Sequence, residues 1–112
     1  MKRFVFSLFA MVLILVSCGQ SEEEKAMTKV VFSEYKEGQI KTDTEVPFNI
    51  LNLKVKDKQK DGGRTVYDVS FTIQEMHPDR RYYYDGTALI ERNTISYKVL
   101  HMNYTENKKY NK

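Results

Sequence analysis

Tyr67-Asp68-Val69-Ser70-Phe71-Thr72-Ile73-Gln74 alternates large apolar and polar side chains over eight residues. Side chains of a strand point to opposite faces with period two, so this stretch is a strand with one buried face, carrying Tyr67, Val69, Phe71 and Ile73. Upstream, Phe48 to Lys56 is also apolar-rich, but its phase breaks between Ile50 and Leu51. Such a break means that both faces are covered or that a bulge intervenes. Between these strands Asp57 to Gly63 reads as a polar loop ending in the turn signal Asp61-Gly62-Gly63. Downstream, His77-Pro78-Asp79 is a corner, since proline has no amide hydrogen for a ladder. Arg81 to Tyr84 and Thr87 to Glu91 then flank Asp85-Gly86, the dipeptide of a tight hairpin. Arg92-Asn93 makes another turn. In Thr94 to Tyr104 the residues Ile95, Tyr97 and Val99 alternate, followed by Leu100, Met102 and Tyr104 in the opposite phase.

On the N-terminal side, Ala26, Met27, Val30, Val31 and Tyr35 recur at helical spacing, whereas Val30-Val31-Phe32 has strand composition. The spacing favours a helix, which Gly38 is expected to end. The chain of 112 residues has room for one domain, and its 41% hydrophobic and 29% charged content is that of an ordinary globular protein. The expected fold class is therefore α+β: one N-terminal helix packed on a curved antiparallel sheet of four to five strands, over residues 27–105. An all-β small barrel or sandwich is the alternative. Residues 106–112 are polar and read as a flexible tail. The helix-plus-meander pattern resembles the small cystatin-like lipoprotein domains of bacteria.

The first residues set the compartment. Met1-Lys2-Arg3 is a short basic start, and Phe4 to Val16 is apolar except for Ser7. A helix of that length rises about 20 Å, short of the roughly 30 Å hydrocarbon core that a permanent span must cross. A basic start, a short apolar middle and a small-residue end describe a secretory signal peptide, residues 1–17. Leu15-Val16-Ser17-Cys18 resembles the lipobox of bacterial lipoproteins. That resemblance implies a diacylglycerol group on the Cys18 thiol and cleavage before Cys18. It further implies a bacterial membrane protein, lipid-anchored and facing away from the cytoplasm, in the outer leaflet of the cell membrane or in the outer membrane. Two or three acyl chains anchor durably where one does not. Residues 18–26 then read as the lipidated cysteine and a polar tether. Their Glu22-Glu23-Glu24 cluster is also similar to the surface-export signal of Bacteroidetes lipoproteins, although a solvated linker is the preferred reading.

Cys18 is the one cysteine, so no intramolecular disulfide forms and lipidation leaves no thiol for catalysis. Loss of Lys2 and Arg3 reduces eighteen basic residues to sixteen, against fifteen acidic, a formal charge of +1. No electrostatic case for nucleic acid survives. Neither a GxGxxG nor a P-loop pattern occurs, and no cofactor is expected. His77 and His101, the only imidazoles, lack the carboxylate spacing of a metal site and the serine context of a hydrolase.

The unusual segment is Arg80-Arg81-Tyr82-Tyr83-Tyr84. In a strand, Tyr82 and Tyr84 share one face and Arg81 and Tyr83 the other. A cross-strand aromatic ladder is the first explanation. The second makes Arg81, Tyr82, Tyr83 and Tyr84 a partner-binding surface for a protein or envelope polymer, tyrosine and arginine being enriched at interface hot spots. Lys54, Lys56, Lys58 and Lys60 form a basic row expected on one side of a strand and its loop. The leading functional expectation is a non-enzymatic interaction module, similar in size and layout to exclusion, immunity and small enzyme-inhibitor lipoproteins. A small envelope enzyme or accessory subunit, or an apolar-ligand carrier, is the alternative.

Overall fold

The computed structural model describes residues 20–94 and 96–111. Residues 1–19, on which the signal-peptide and Cys18 lipidation expectations fall, lie outside them, as do Ile95 and Lys112. One helix, α1 (Glu22–Thr42), precedes four strands, β1 (Phe48–Asp61), β2 (Arg64–Met76), β3 (Arg81–Arg92) and β4 (Tyr97–Glu106). The strands form one antiparallel sheet in the order β1-β2-β3-β4, with α1 against one face. This is α+β with four strands, in place of the barrel or sandwich alternative.

The period-two reading of β2 holds. Tyr67, Val69, Phe71 and Ile73 are all buried on the helix-facing side. Residues directly opposite share a face, so Ile50 beside Ile73, and Ala88 and Ile90 on β3, extend the same layer. Helix α1 adds Met27, Val31 and Tyr35 at intervals of four, one stripe of the helix.

Bulges resolve the two phase breaks. Between Leu51 and Lys54, β1 uses one residue more than β2, at Asn52 in the left-handed region (φ 56°), so Ile50 and Leu53 both face the helix. In β4, Leu100 is extra between Val99 and His101, so Val99 and Met102 both pack on the core while Leu100 is exposed. A third bulge at Lys56 splits the basic row. Lys58 and Lys60 pair with Tyr67 and Thr65 on the helix-facing side, and Lys54 pairs with Ser70 on the outer side.

Several boundaries differ from expectation. Asp85-Gly86 is no hairpin: β3 runs straight through it, because Gly86 sits opposite Phe71 and leaves room for its ring. The stretch Asp57–Asp61 continues β1, and the turn is Gly62-Gly63 alone, with Gly62 at φ 64°. Gly38 does not end α1. The helix carries on through Gln39, which is buried, to Asp43 in the left-handed region, whose amide bonds Gln39 and Ile40 carbonyls.

Residues 20–26, read as tether, belong to the folded unit. Ser21 and Glu24 form a reciprocal capping box, and Gln20 Nε2 donates to the Leu53 carbonyl at 3.0 Å. Glu24 also accepts from the Val55 amide at 2.9 Å, and Glu23 accepts from Tyr67 at 2.6 Å and Arg92 at 3.0 Å. The acidic cluster therefore closes the outer edge of β1 and ties the helix start to the sheet. Partial burial raises the Glu24 carboxyl, but the Val55 and Ser21 amides, with Lys54 nearby, bring it below its usual value. A carboxyl depressed on folding stabilises above its unfolded pKa and loses that contribution as pH falls through the folded one. Glu24→Gln is expected to lower the melting temperature at neutral pH, with the gap to wild type closing as pH falls below about 4.5, so that the acid side of the profile flattens, measured by circular dichroism.

The polar tail is docked as well. Asn111 accepts from the Tyr83 amide (2.8 Å) and donates to the Tyr83 carbonyl (2.6 Å), pairing with β3 past the end of β4 as another strand residue would.

Candidate functional site

The four residues of the expected partner surface do not form one patch. Tyr82 and Tyr84 lie opposite Glu75 and Ile73 on the helix-facing side, half-buried. Tyr83 is on the outer face, where its hydroxyl accepts from Gln74 at 3.0 Å and its ring meets Tyr110. Asn49 in turn donates to Gln74, so a polar row crosses β1, β2 and β3 there. Arg81 is exposed on that same outer face, opposite Met76. Alternation was read correctly, but the sheet holds the pairs back to back.

What the fold gathers instead is a buried acid. Glu75 is the next step after Ile73 in the alternation of β2, which puts a carboxylate on the apolar face, 9% exposed. Its Oε2 accepts from the Tyr35 hydroxyl and from Gln39 Nε2, both on α1. Its Oε1 lies 3.0 Å from His77 Nε2 in the β2–β3 corner. The His77 ring meets Tyr82 edge to face, and the Arg80 guanidinium lies over Tyr82. Among the described residues Glu75 pairs with no lysine or arginine. Burial, reinforced by the bond to Glu75, pushes the Tyr35 phenol far above its ordinary value, so it remains a donor. Tyr84 is raised by burial and then by Glu75 and Glu106.

This network floors a cleft of about 470 Å³ between the second half of α1 and β4. Tyr35, Gln39, Glu75, Met102 and Tyr104 contribute to its lining. Three tyrosine rings meet at steep angles beside it: Tyr35 with Tyr104 at 5.2 Å and 72°, and Tyr84 with Tyr104 at 5.9 Å and 81°. Gly38 also lines the cleft, and its missing side chain leaves the mouth clear.

The histidines play unequal parts. His77 is engaged by Glu75 and Tyr82, whereas His101 is exposed and its Nε2 meets the Asn103 amide at 2.9 Å. Among the described residues no group of three His, Cys, Asp or Glu side chains could hold a metal ion. Sequence reasoning missed Glu75, Tyr35 and Gln39 as a unit. The usable signal was a charged residue on the apolar phase of the clearest strand, since a buried carboxylate must find donors. No family model, no curated protein and no solved structure matches the chain. No described helix is long and apolar enough to cross a membrane.

Proposed function

We propose that this protein is a lipid-anchored, non-enzymatic interaction module on the outward side of a bacterial membrane, of the exclusion, immunity or inhibitor type. The observation that carries the reading is the distance between the lipobox cysteine and the folded body. Gln20 is already bonded to β1, so only two residues of reach, at most about 7 Å, separate Cys18 from the domain. A module held so close meets partners at the membrane surface and has no stalk with which to sample the space beyond. Confinement of this kind raises effective concentration without new contacts. The engagement of His77 by Glu75 and Tyr82 supports a structural over a catalytic use of that imidazole. Arg81 and Tyr83, on the outer face beside the docked tail, remain the proposed contact for a protein or envelope polymer.

Cys18→Ala is expected to abolish palmitate labelling and move the chain from the membrane to the soluble or unprocessed fraction. Undiminished labelling and membrane fractionation refute the anchor. Site-specific photocrosslinking from position 83 in the native envelope tests the contact: a discrete adduct lost with Arg81→Ala supports it. Adduct formation that ignores Arg81 returns Tyr83 to the cross-strand ladder.

A further inference from the structure

The cleft between α1 and β4 has a composition that the interaction reading does not use. Its floor is a carboxylate nine-tenths buried, bonded by a phenol, an amide and an imidazole but by no permanently cationic side chain. Its lining holds a second carboxylate, Glu34, and no lysine or arginine. Two aromatic rings line it, Tyr35 and Tyr104, set nearly perpendicular, and Tyr84 packs edge-on against Tyr104. The volume, about 470 Å³, is that of a small-molecule site. Desolvated negative charge favours a cation, and rings around it favour one with a soft, weakly hydrated surface. A bare metal ion is a poor fit, because no cluster of ligating side chains exists among the described residues.

We infer that this cleft binds a small organic cation, a protonated or quaternary amine, with its charge directed at Glu75 and its carbon substituents against Tyr35 and Tyr104. The two donors from α1 hold the carboxylate in place on one oxygen, while His77 orients the other. Val99 and Met102, partly buried on β4, supply apolar contact for the ligand's hydrocarbon part. Occupancy does not depend on lipidation, so Cys18→Ala leaves it unchanged and the anchor and the cleft fail or succeed separately.

The test is calorimetric titration of the full-length chain in detergent micelles with tetramethylammonium chloride, against sodium chloride at equal ionic strength and against tert-butanol as the uncharged isostere. Tetramethylammonium is expected to saturate in the millimolar range or below, tert-butanol to bind at least about tenfold more weakly, and sodium to give no saturable heat. Glu75→Gln is expected to weaken tetramethylammonium about tenfold. Tyr104 is 45% exposed, so Tyr104→Leu keeps the fold and reports the ring alone, again with about tenfold weaker binding at an unchanged melting temperature. Equal affinity for the charged and uncharged isosteres, an unaltered affinity in Tyr104→Leu, or no saturable response to tetramethylammonium or methylammonium in the millimolar range overturns the inference.

Discussion

Phe71→Ala is expected to destabilise the protein by about 3–5 kcal/mol. Phe71 stands at the middle of β2, a strand paired on both sides, and is 4% exposed. Removing the ring takes away its transfer free energy and leaves a cavity, and the neighbours cannot move in to fill it. Gly86 directly opposite has no side chain to offer, and its backbone is held in the β2–β3 ladder. A domain of this size holds about 5–15 kcal/mol in all, and each kcal/mol shifts the midpoint by roughly 4–8 °C. A drop of at least about 12 °C in melting temperature follows from those figures. Thermal unfolding by circular dichroism reads it directly, and a midpoint equal to wild type within error means the ring is not part of the core.

Gly86→Ala is expected to cost about 3 kcal/mol, the upper end of the usual range for overpacking. A Cβ built on Gly86 falls 2.2 Å from Phe71 Cε1, with two further ring atoms inside 3.0 Å. Backbone conformation is not the reason, because Gly62 is the only described glycine with positive φ. The ring is buried and lies directly in the path of the added methyl. The two positions are therefore coupled, and coupling in contacting pairs runs to about 0.5–3 kcal/mol. In a Phe71→Leu background the same Gly86→Ala change is expected to cost markedly less, because the shorter side chain vacates the contested space. Urea denaturation of the four proteins in this cycle measures the difference. Equal costs in both backgrounds exclude Phe71 as the cause.

The sites of these two changes show where sequence is informative and where it is not. Phe71 was legible because period two over Tyr67 to Gln74 is a local property, imposed by the alternation of Cβ directions in any strand. Asp85-Gly86 was misread for the converse reason. The dipeptide carries a strong local turn preference, but the need for a glycine there comes from Phe71, fifteen residues away and across a ladder. Glu22 to Glu24 were misread in the same way. Alone they are a solvated acidic run, yet two of them bond Val55, Tyr67 and Arg92.

The candidate site divides similarly. Strand alternation correctly separated Tyr82 and Tyr84 from Arg81 and Tyr83, but composition could not say that the tail would cover Tyr83 through Asn111 and Tyr110. Glu75 was visible as a charge on the apolar phase. Its donors Tyr35 and Gln39 come from a helix about forty residues earlier, so their convergence was not visible.

The linear order of side chains by itself determined the buried face of β2, the Gly62-Gly63 turn and the helical stripe of α1, because each follows from neighbours within a few bonds. Only the folded chain decided that β3 is one strand, that bulges at Asn52, Lys56 and Leu100 reset three registers, and that a carboxylate and three tyrosines meet beside one cleft. Those features are contacts between distant segments, and their free energy exists only once the sheet has brought the segments together.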